Sequence, residues 1–263
     1  MRNGIVDNYW NKTETYEALA DYIKLNFDGL KDTIVLLMNG ARIPVSLKTY
    51  QNDMTSFTCK DDIFALLIHL GYLGFEGDEK DGMIDSERGT VFIPNLEIMD
   101  EFKTSTETSE WEQPFEQFKQ SLKLLDATWN KDEKLVAELL ETAHNKTDNK
   151  TYNSEVALSY GIQLAYYAAQ KFYTTVLELD SGKGYADIVY LPAPQYPDKP
   201  VLLIELKYGG DETGAISQIR KQNYPDRLEH YKGHILLVGI NYNVELKNTD
   251  PAYKHHTCKI EEA

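Results

Sequence analysis

The chain has 263 residues, 42% of them hydrophobic, and a formal net charge of −15 at pH 7. That length allows about two modest domains, and so large an excess of acid opposes nucleic acid over most of the surface. No apolar run approaches the ~18 residues of a membrane helix, and the opening MRNGIVDNYWNKTETYEAL lacks the apolar core of a signal peptide. Cys59 and Cys258 lie far apart and form no metal knuckle or disulfide framework. A cytoplasmic address is the expectation.

In chain order, the pattern predicts a helix over 13–27. DTIVLLMNG (32–40) reads as a short strand ending in an Asn-Gly turn, with ARIPVSLKTY (41–50) as its hairpin partner. TCKDDIFALLIHLGYLGF holds a helix with Ile63, Leu66, Leu67 and Leu70 on one face. Thr58 or Asp61 would cap it, and Gly71 would end it. His69 falls on that helix as a core histidine. GDEKDGMIDSERG reads as a polar, glycine-rich excursion, TVFIPN as a strand, and LEIMDEFKTSTET as a helix. Together these make a small, mainly helical α+β module of winged-helix-like type. Residues 110–150 read as charged helices.

NKTDNKTYNS (145–154) has no apolar period and is the expected boundary. The expected division is therefore 1–110 for the α+β module, 111–150 for a helical connector, and 151–263 for a second domain. Residues 1–150 carry a net −12 and 151–263 only −3, so the acidity belongs to the first half.

The second half opens with SEVALSYGIQLAYYAAQKFY, a long apolar helix with Ser154 as a cap. TTVLELDSGKGYADIVYL reads as two strands and KPVLLIELKYGG as a third. A helix in DETGAISQIRKQNYPDRLEHY, broken before Pro225, and a strand in GHILLVGINYN complete it. Helix, three strands, helix, strand describes an α/β domain with a mixed sheet flanked by helices.

The third of these strands is apolar through 201–204 and then meets Glu205 and Lys207. Side chains alternate faces along a strand, so these two point the same way. Asp187 on the preceding strand would stand beside Glu205. Two converging carboxylates raise each other's pKa unless a cation lies between them. Mg²⁺ suits a few carboxylate and backbone oxygens.

The pattern AD…ELK on adjacent strands resembles the PD-(D/E)xK nuclease superfamily and implies a restriction-endonuclease-like fold. More narrowly, GKGYADIVYL, LLIELKY and AISQIRKQNY resemble the nuclease-like domain that follows an AAA-ATPase-like domain in bacterial proteins. MNGARIPVSLKTYQNDMTSF, KDDIFALLIHLGYL and VFIPN resemble that family's region behind its ATPase core. The resemblance implies that Asp187 and Glu205 bind Mg²⁺ or Mn²⁺, with the backbone carbonyl of Leu206 as a further ligand. It makes Lys207 the motif lysine, Gln218 the glutamine of the following helix, and Glu155 the acid of the first helix. Glu155 would share a helix face with Leu158, Ile162 and Tyr166. The proline of the motif is Ala186 here.

No G-x-x-x-x-G-K-[ST] loop occurs, so no ATP binding is expected, and the chain resembles the rear part of a longer ATPase-containing protein. The implied partner is nucleic acid, DNA in the first instance, with a homodimer or larger assembly as a possible working unit and no membrane. The implied reaction is metal-dependent phosphodiester hydrolysis. The alternative is a non-catalytic nucleic-acid-binding or regulatory module that keeps the nuclease fold. A surface ion pair would explain Glu205-x-Lys207 alone; the apolar approach to it, Asp187 and Gln218 favour a site. A solvated face explains Arg220, Lys221 and Arg227 as well as phosphate contacts do. Tyr208 and Tyr224 are candidates for base stacking. His255 and His256 sit in a terminal stretch with no ligand partner at metal spacing.

Overall fold

A computed structural model describes residues 15–24, 29–48, 57–80, 82–146, 155–180, 185–209, 212–221, 228, 235–243 and 255–263. The chain divides into two compact units, Met1–Gln117 and Phe118–Ala263.

In the first unit, helices α1 (Thr15–Lys24) and α2 (Leu30–Met38) precede strand β1 (Ile43–Ser46) and helix α3 (Lys60–His69). Strands β2 (Gly74–Lys80) and β3 (Met83–Phe92) then form a hairpin, followed by α4 (Leu96–Ser105). The sheet is antiparallel in the order β1-β3-β2, with Ile43 opposite Val91. Its core includes Leu19, Ile23, Ile34, Ile63, Leu66 and Phe102, all fully buried.

DTIVLLMNG is thus part of a helix, not a strand. Thr33 through Leu37 are all buried, and an apolar run with no polar face has no helical period to read. The Asn-Gly pair ends this helix instead of turning a hairpin. Gly40 takes φ +83, and the N–H groups of Gly40 and Ala41 return to Leu37 and Leu36 at 2.9 and 3.0 Å. That is a glycine-terminated helix end.

The cap of α3 is Cys59, with Asp62 closing the box. Its Oδ2 accepts from Thr58 N–H at 2.8 Å and Cys59 N–H at 3.3 Å. Asp61 instead accepts the N–H of Ser46 at 3.0 Å. His69 and Leu70 are exposed at the helix end, so His69 is not a core histidine. The polar excursion expected over 77–89 is the β2–β3 hairpin, whose strands need no apolar face because their tip is solvated: Met83 and Ile84 are exposed.

Helix α5 (Glu112–Trp129) leads into the second unit, followed by α6 (Glu133–Lys146) and α7 (Glu155–Ala165). Strands β4 (Tyr173–Asp180), β5 (Tyr185–Pro192) and β6 (Val201–Tyr208) come next, then α8 (Glu212–Lys221), β7 (Ile235–Tyr242) and β8 (His256–Glu262). The sheet order is β4-β5-β6-β7-β8. Only β6 and β7 pair in parallel; the other neighbours are antiparallel. The sheet is therefore mixed and the architecture α/β. α7 is shorter than the apolar run suggested, because a 3-10 turn over Tyr167–Lys171 ends it and Tyr173 opens β4. The 145–154 boundary and the Ser154 cap lie mostly outside the described residues, as do Tyr224 and Pro225.

Two layers of side chains cover the sheet. Val189, Val201, Leu203, Ile235 and Leu237 pack with Ile216 and Ile219 of α8. The alternate residues Tyr190, Leu202, Ile204, Leu206, Val238 and Ile240 are buried on the other face, where Tyr190 meets Tyr166 at 5.9 Å between ring centroids. Thr128 and Tyr166 share a buried hydroxyl hydrogen bond of 2.8 Å, which satisfies a phenol that burial would otherwise penalise.

The terminal stretch is an edge strand that sequence patterning missed, since its alternation is carried by His256, Cys258 and Ile260. Glu133 of α6 protects this edge by accepting the N–H of Ile260 at 3.0 Å and pairing with Lys259 at 3.0 Å.

Candidate functional site

The first half of β6 is hydrophobic on both sides, and the polar residues come where it leaves that core. Val201, Leu203, Glu205 and Lys207 share one face, so Glu205 and Lys207 continue the row that packs under α8. They are not turned away from the core; they close its end. Glu205 is 1% exposed. A carboxylate buried that deeply needs a counter-charge or donors, and the Lys207 ammonium lies 3.3 Å from its Oε1. Lys207 also donates to Oε1 of Gln218, which α8 lowers onto it. The ammonium is thus held from two elements.

Asp187 reaches this place from β5. The β5–β6 ladder runs Tyr190↔Leu202, Val189↔Leu203 and Ile188↔Ile204. One more step would put Asp187 opposite Glu205, on the same face, but the backbone ladder stops there. Instead, Oδ2 of Asp187 accepts the N–H of Leu206 at 2.7 Å. The carboxylate replaces the main chain as acceptor where the two strands part. A strand residue's N–H and C=O project to the same side, so the Leu206 carbonyl leaves β6 on the edge where Asp187 stands. The Leu206 side chain is fully buried on the opposite face.

Asp187, Glu205, Lys207 and Gln218 therefore come together at the C-terminal end of β6. Glu155 is the first residue of α7; its side chain lies outside the described residues. Leu158, Ile162 and Tyr166, which share its helix row, are buried. Arg220 points elsewhere, to Glu261 at 2.6 Å. Lys221 and Arg227 offer no described side chain.

Sequence reasoning missed Asn241. It is 3% exposed and stands beside Lys207 in the parallel β6–β7 pair, just as Gly239 stands beside Glu205. The signal was present: in ILLVGINY, as in VLLIELKY, a polar residue interrupts an apolar strand on the same face. Also missed was Glu141. It accepts Nδ1 of His255 at 2.9 Å and of His256 at 2.8 Å, and their two backbone N–H groups at 2.9 and 3.1 Å. Burial raises its pKa, but the hydrogen bonds from His256 and His255 and the attraction of His256 outweigh that and bring it down to about 2. Nothing in the sequence pairs residues so far apart. Both histidines are thus engaged by a carboxylate.

Among the described residues, no group of three or more His, Cys, Asp and Glu is arranged to hold a metal ion, and no helix is long and apolar enough to cross a membrane. The donors at the β6 end are two carboxylates and a main-chain carbonyl. All are hard oxygens of the kind Mg²⁺ and Mn²⁺ take, so the set fits such an ion by its chemistry.

Residues 159–250 match the model of the PD-(D/E)XK nuclease superfamily. Asp187, Glu205, Lys207, Gln218 and Asn241 fall inside the matched stretch, and Glu155 falls just before it. No curated protein and no solved structure matches the chain.

Proposed function

We propose that this protein hydrolyses phosphodiester bonds of DNA in a metal-dependent reaction at the C-terminal end of β6. The observation that carries this reading is the convergence of Asp187, Glu205 and Lys207 on one sheet face, with Gln218 bonded to Lys207, inside the stretch matched to the nuclease superfamily. Asp187, Glu205 and the carbonyl of Leu206 would hold Mg²⁺ or Mn²⁺. When bound, the ion supplies Lewis acidity and a more acidic water.

The chain's own part is positioning. Lys207 presents a fixed ammonium where negative charge grows on the phosphate, and an ordered donor of this kind stabilises the transition state more than the ground state. Gln218 and Glu205 hold that ammonium in place. Glu155 is assigned to extend the metal site through water. The deep burial of Glu205 keeps its carboxylate from swinging into solvent.

The same proposal includes the finer architecture: an α+β module over 1–110, a helical connector over 111–150 and the nuclease-like domain over 151–263. The β1-β3-β2 order of the first sheet supports a winged-helix-like module. The stretches quoted above support the AAA-ATPase-linked bacterial branch, without ATP binding by this chain.

A second reading, a non-catalytic binding or regulatory module, draws on the acidity of the first half, which repels DNA. Cleavage decides between them. Wild type and Lys207→Ala are compared for Mg²⁺-dependent cutting of plasmid and single-stranded DNA, with affinity measured separately in Ca²⁺. The expected result is cleavage by wild type, a loss of about 10²-fold in rate in the variant, and near-equal affinity. Binding by wild type without cutting on any substrate gives the second reading.

A further inference from the structure

The two edges of the second sheet differ. At the β8 edge, Glu133 accepts the N–H of Ile260 and pairs with Lys259, and Glu141 accepts the N–H groups of His255 and His256. At the other edge stands β4, an eight-residue strand. Its sequence YTTVLELD holds no proline and no lysine, the usual guards of an exposed edge, and its register with β5 is unbroken. Its first five residues carry no charge.

One bond sets the direction of the edge groups. The N–H of Ala193 donates to the carbonyl of Phe172 at 2.8 Å. Phe172 therefore faces β5, and by alternation so do Thr174 and Val176, while Thr175 and Leu177 turn their N–H and C=O groups outward. Among the described residues, none bonds to those outward groups. Thr174 and Thr175 are exposed, and Leu177 is 51% exposed.

The apolar layer under α8 runs to the same edge. Leu237, Leu203, Val189 and Val176 are register partners in turn across β7, β6, β5 and β4. The first three are buried, and Val176, last in the row, is only partly so. The row reaches the edge of the sheet and stops half-covered.

We infer that β4 pairs antiparallel with β4 of a second copy of this chain, Val176 lying on the two-fold axis, to make one sheet of ten strands, five from each copy. Val176 then meets Val176, and the apolar row continues from one copy into the other. Thr175 of each copy exchanges N–H and C=O bonds with Leu177 of the other, so both edges close at once. Glu178 falls opposite Thr174 in this register, so no like charges are directly opposed.

A second copy suits this edge better than a loose peptide strand. Its β4 is already ordered by β5, so pairing costs little conformational entropy. Residues 151–263 carry only −3 of the net −15, so this part of the chain approaches itself with little repulsion.

The test is light scattering of the full chain across a concentration series, for wild type, Leu177→Lys and Thr175→Pro, each first shown to be folded by its melting transition. Leu177→Lys puts a charge at an edge position that is already half exposed. Thr175→Pro removes an outward N–H and leaves the bonds to β5 in place. Wild type should reach twice the chain mass, and either variant should weaken the dimer about tenfold or more, since each change acts at two symmetric places. Val176→Cys should form a disulfide-linked dimer on mild oxidation, because a non-hydrogen-bonded pair brings its Cα atoms to about 4.5 Å, within disulfide range. Wild type, with Cys59 and Cys258, is the control. A wild type that stays monomeric at every concentration overturns the inference. So does a dimer that both variants leave unchanged, or an oxidised Val176→Cys that links no more than wild type.

Discussion

Acidification should loosen the second unit through one residue, Glu141. Its carboxylate accepts four hydrogen bonds at 2.8 to 3.1 Å from His255 and His256, where β8 begins. Its folded pKa is lowered from 4.5 to about 2. A carboxyl whose folded pKa is depressed contributes stability that is fully present above its unfolded pKa and is lost as pH falls through the folded value. The sensitive window is therefore between about pH 4.5 and about pH 2.

Within that window the unfolded chain binds up to one proton more, so stability falls by up to ~1.4 kcal/mol per pH unit from this group, or about 3 kcal/mol across it. The side chain is 11% exposed, so water screens the interaction only weakly, and about 3 kcal/mol is the upper end. The assay is thermal unfolding followed by circular dichroism across this range, in wild type and Glu141→Gln. The amide keeps the shape but turns N–H groups toward donors. At about pH 6 the variant should melt roughly 10 °C lower, the shift that ~3 kcal/mol produces in a unit of this size. The gap should close as pH falls through the window. A gap that stays constant with pH would refute the assignment of acid sensitivity to Glu141.

Gln218→Ala should reduce Mg²⁺-dependent cleavage about tenfold while leaving affinity in Ca²⁺ near that of wild type, because the Gln218 side chain accepts from Lys207 and holds that ammonium in place; single-turnover kinetics read this. Leu203→Ala, at a fully buried position on β6 that packs with Ile216 and Ile219 of α8, should cost about 2–5 kcal/mol in denaturant unfolding.

Much of the second unit was legible because β5, β6 and β7 are buried strands, and continuous apolar runs bounded by turns report that directly. The candidate site was legible for a related reason. Glu205 and Lys207 interrupt such a run at the spacing that puts them on one face. Register did the rest, since Asp187 falls one step past the last paired residue of β5.

Other features were hidden for physical reasons. α2 is buried on nearly every side, so it carries no amphipathic period and resembles a strand. The β2–β3 hairpin has a solvated tip, so its strands lack an apolar row. β8 is an edge strand whose inward residues are His256, Cys258 and Ile260, a mixture that reads as a polar tail. Its anchor, Glu141, lies 114 residues before His255 and can be matched to it only once the chain has folded.

In the proposed reaction, Asp187 and Glu205 jointly bind the ion. Calorimetric titration of Mn²⁺ into wild type and Asp187→Ala tests it most directly, since heat of binding needs neither substrate nor turnover. The expected result is a saturable binding heat in wild type that is abolished in the variant. Equal binding heats in both proteins would contradict it.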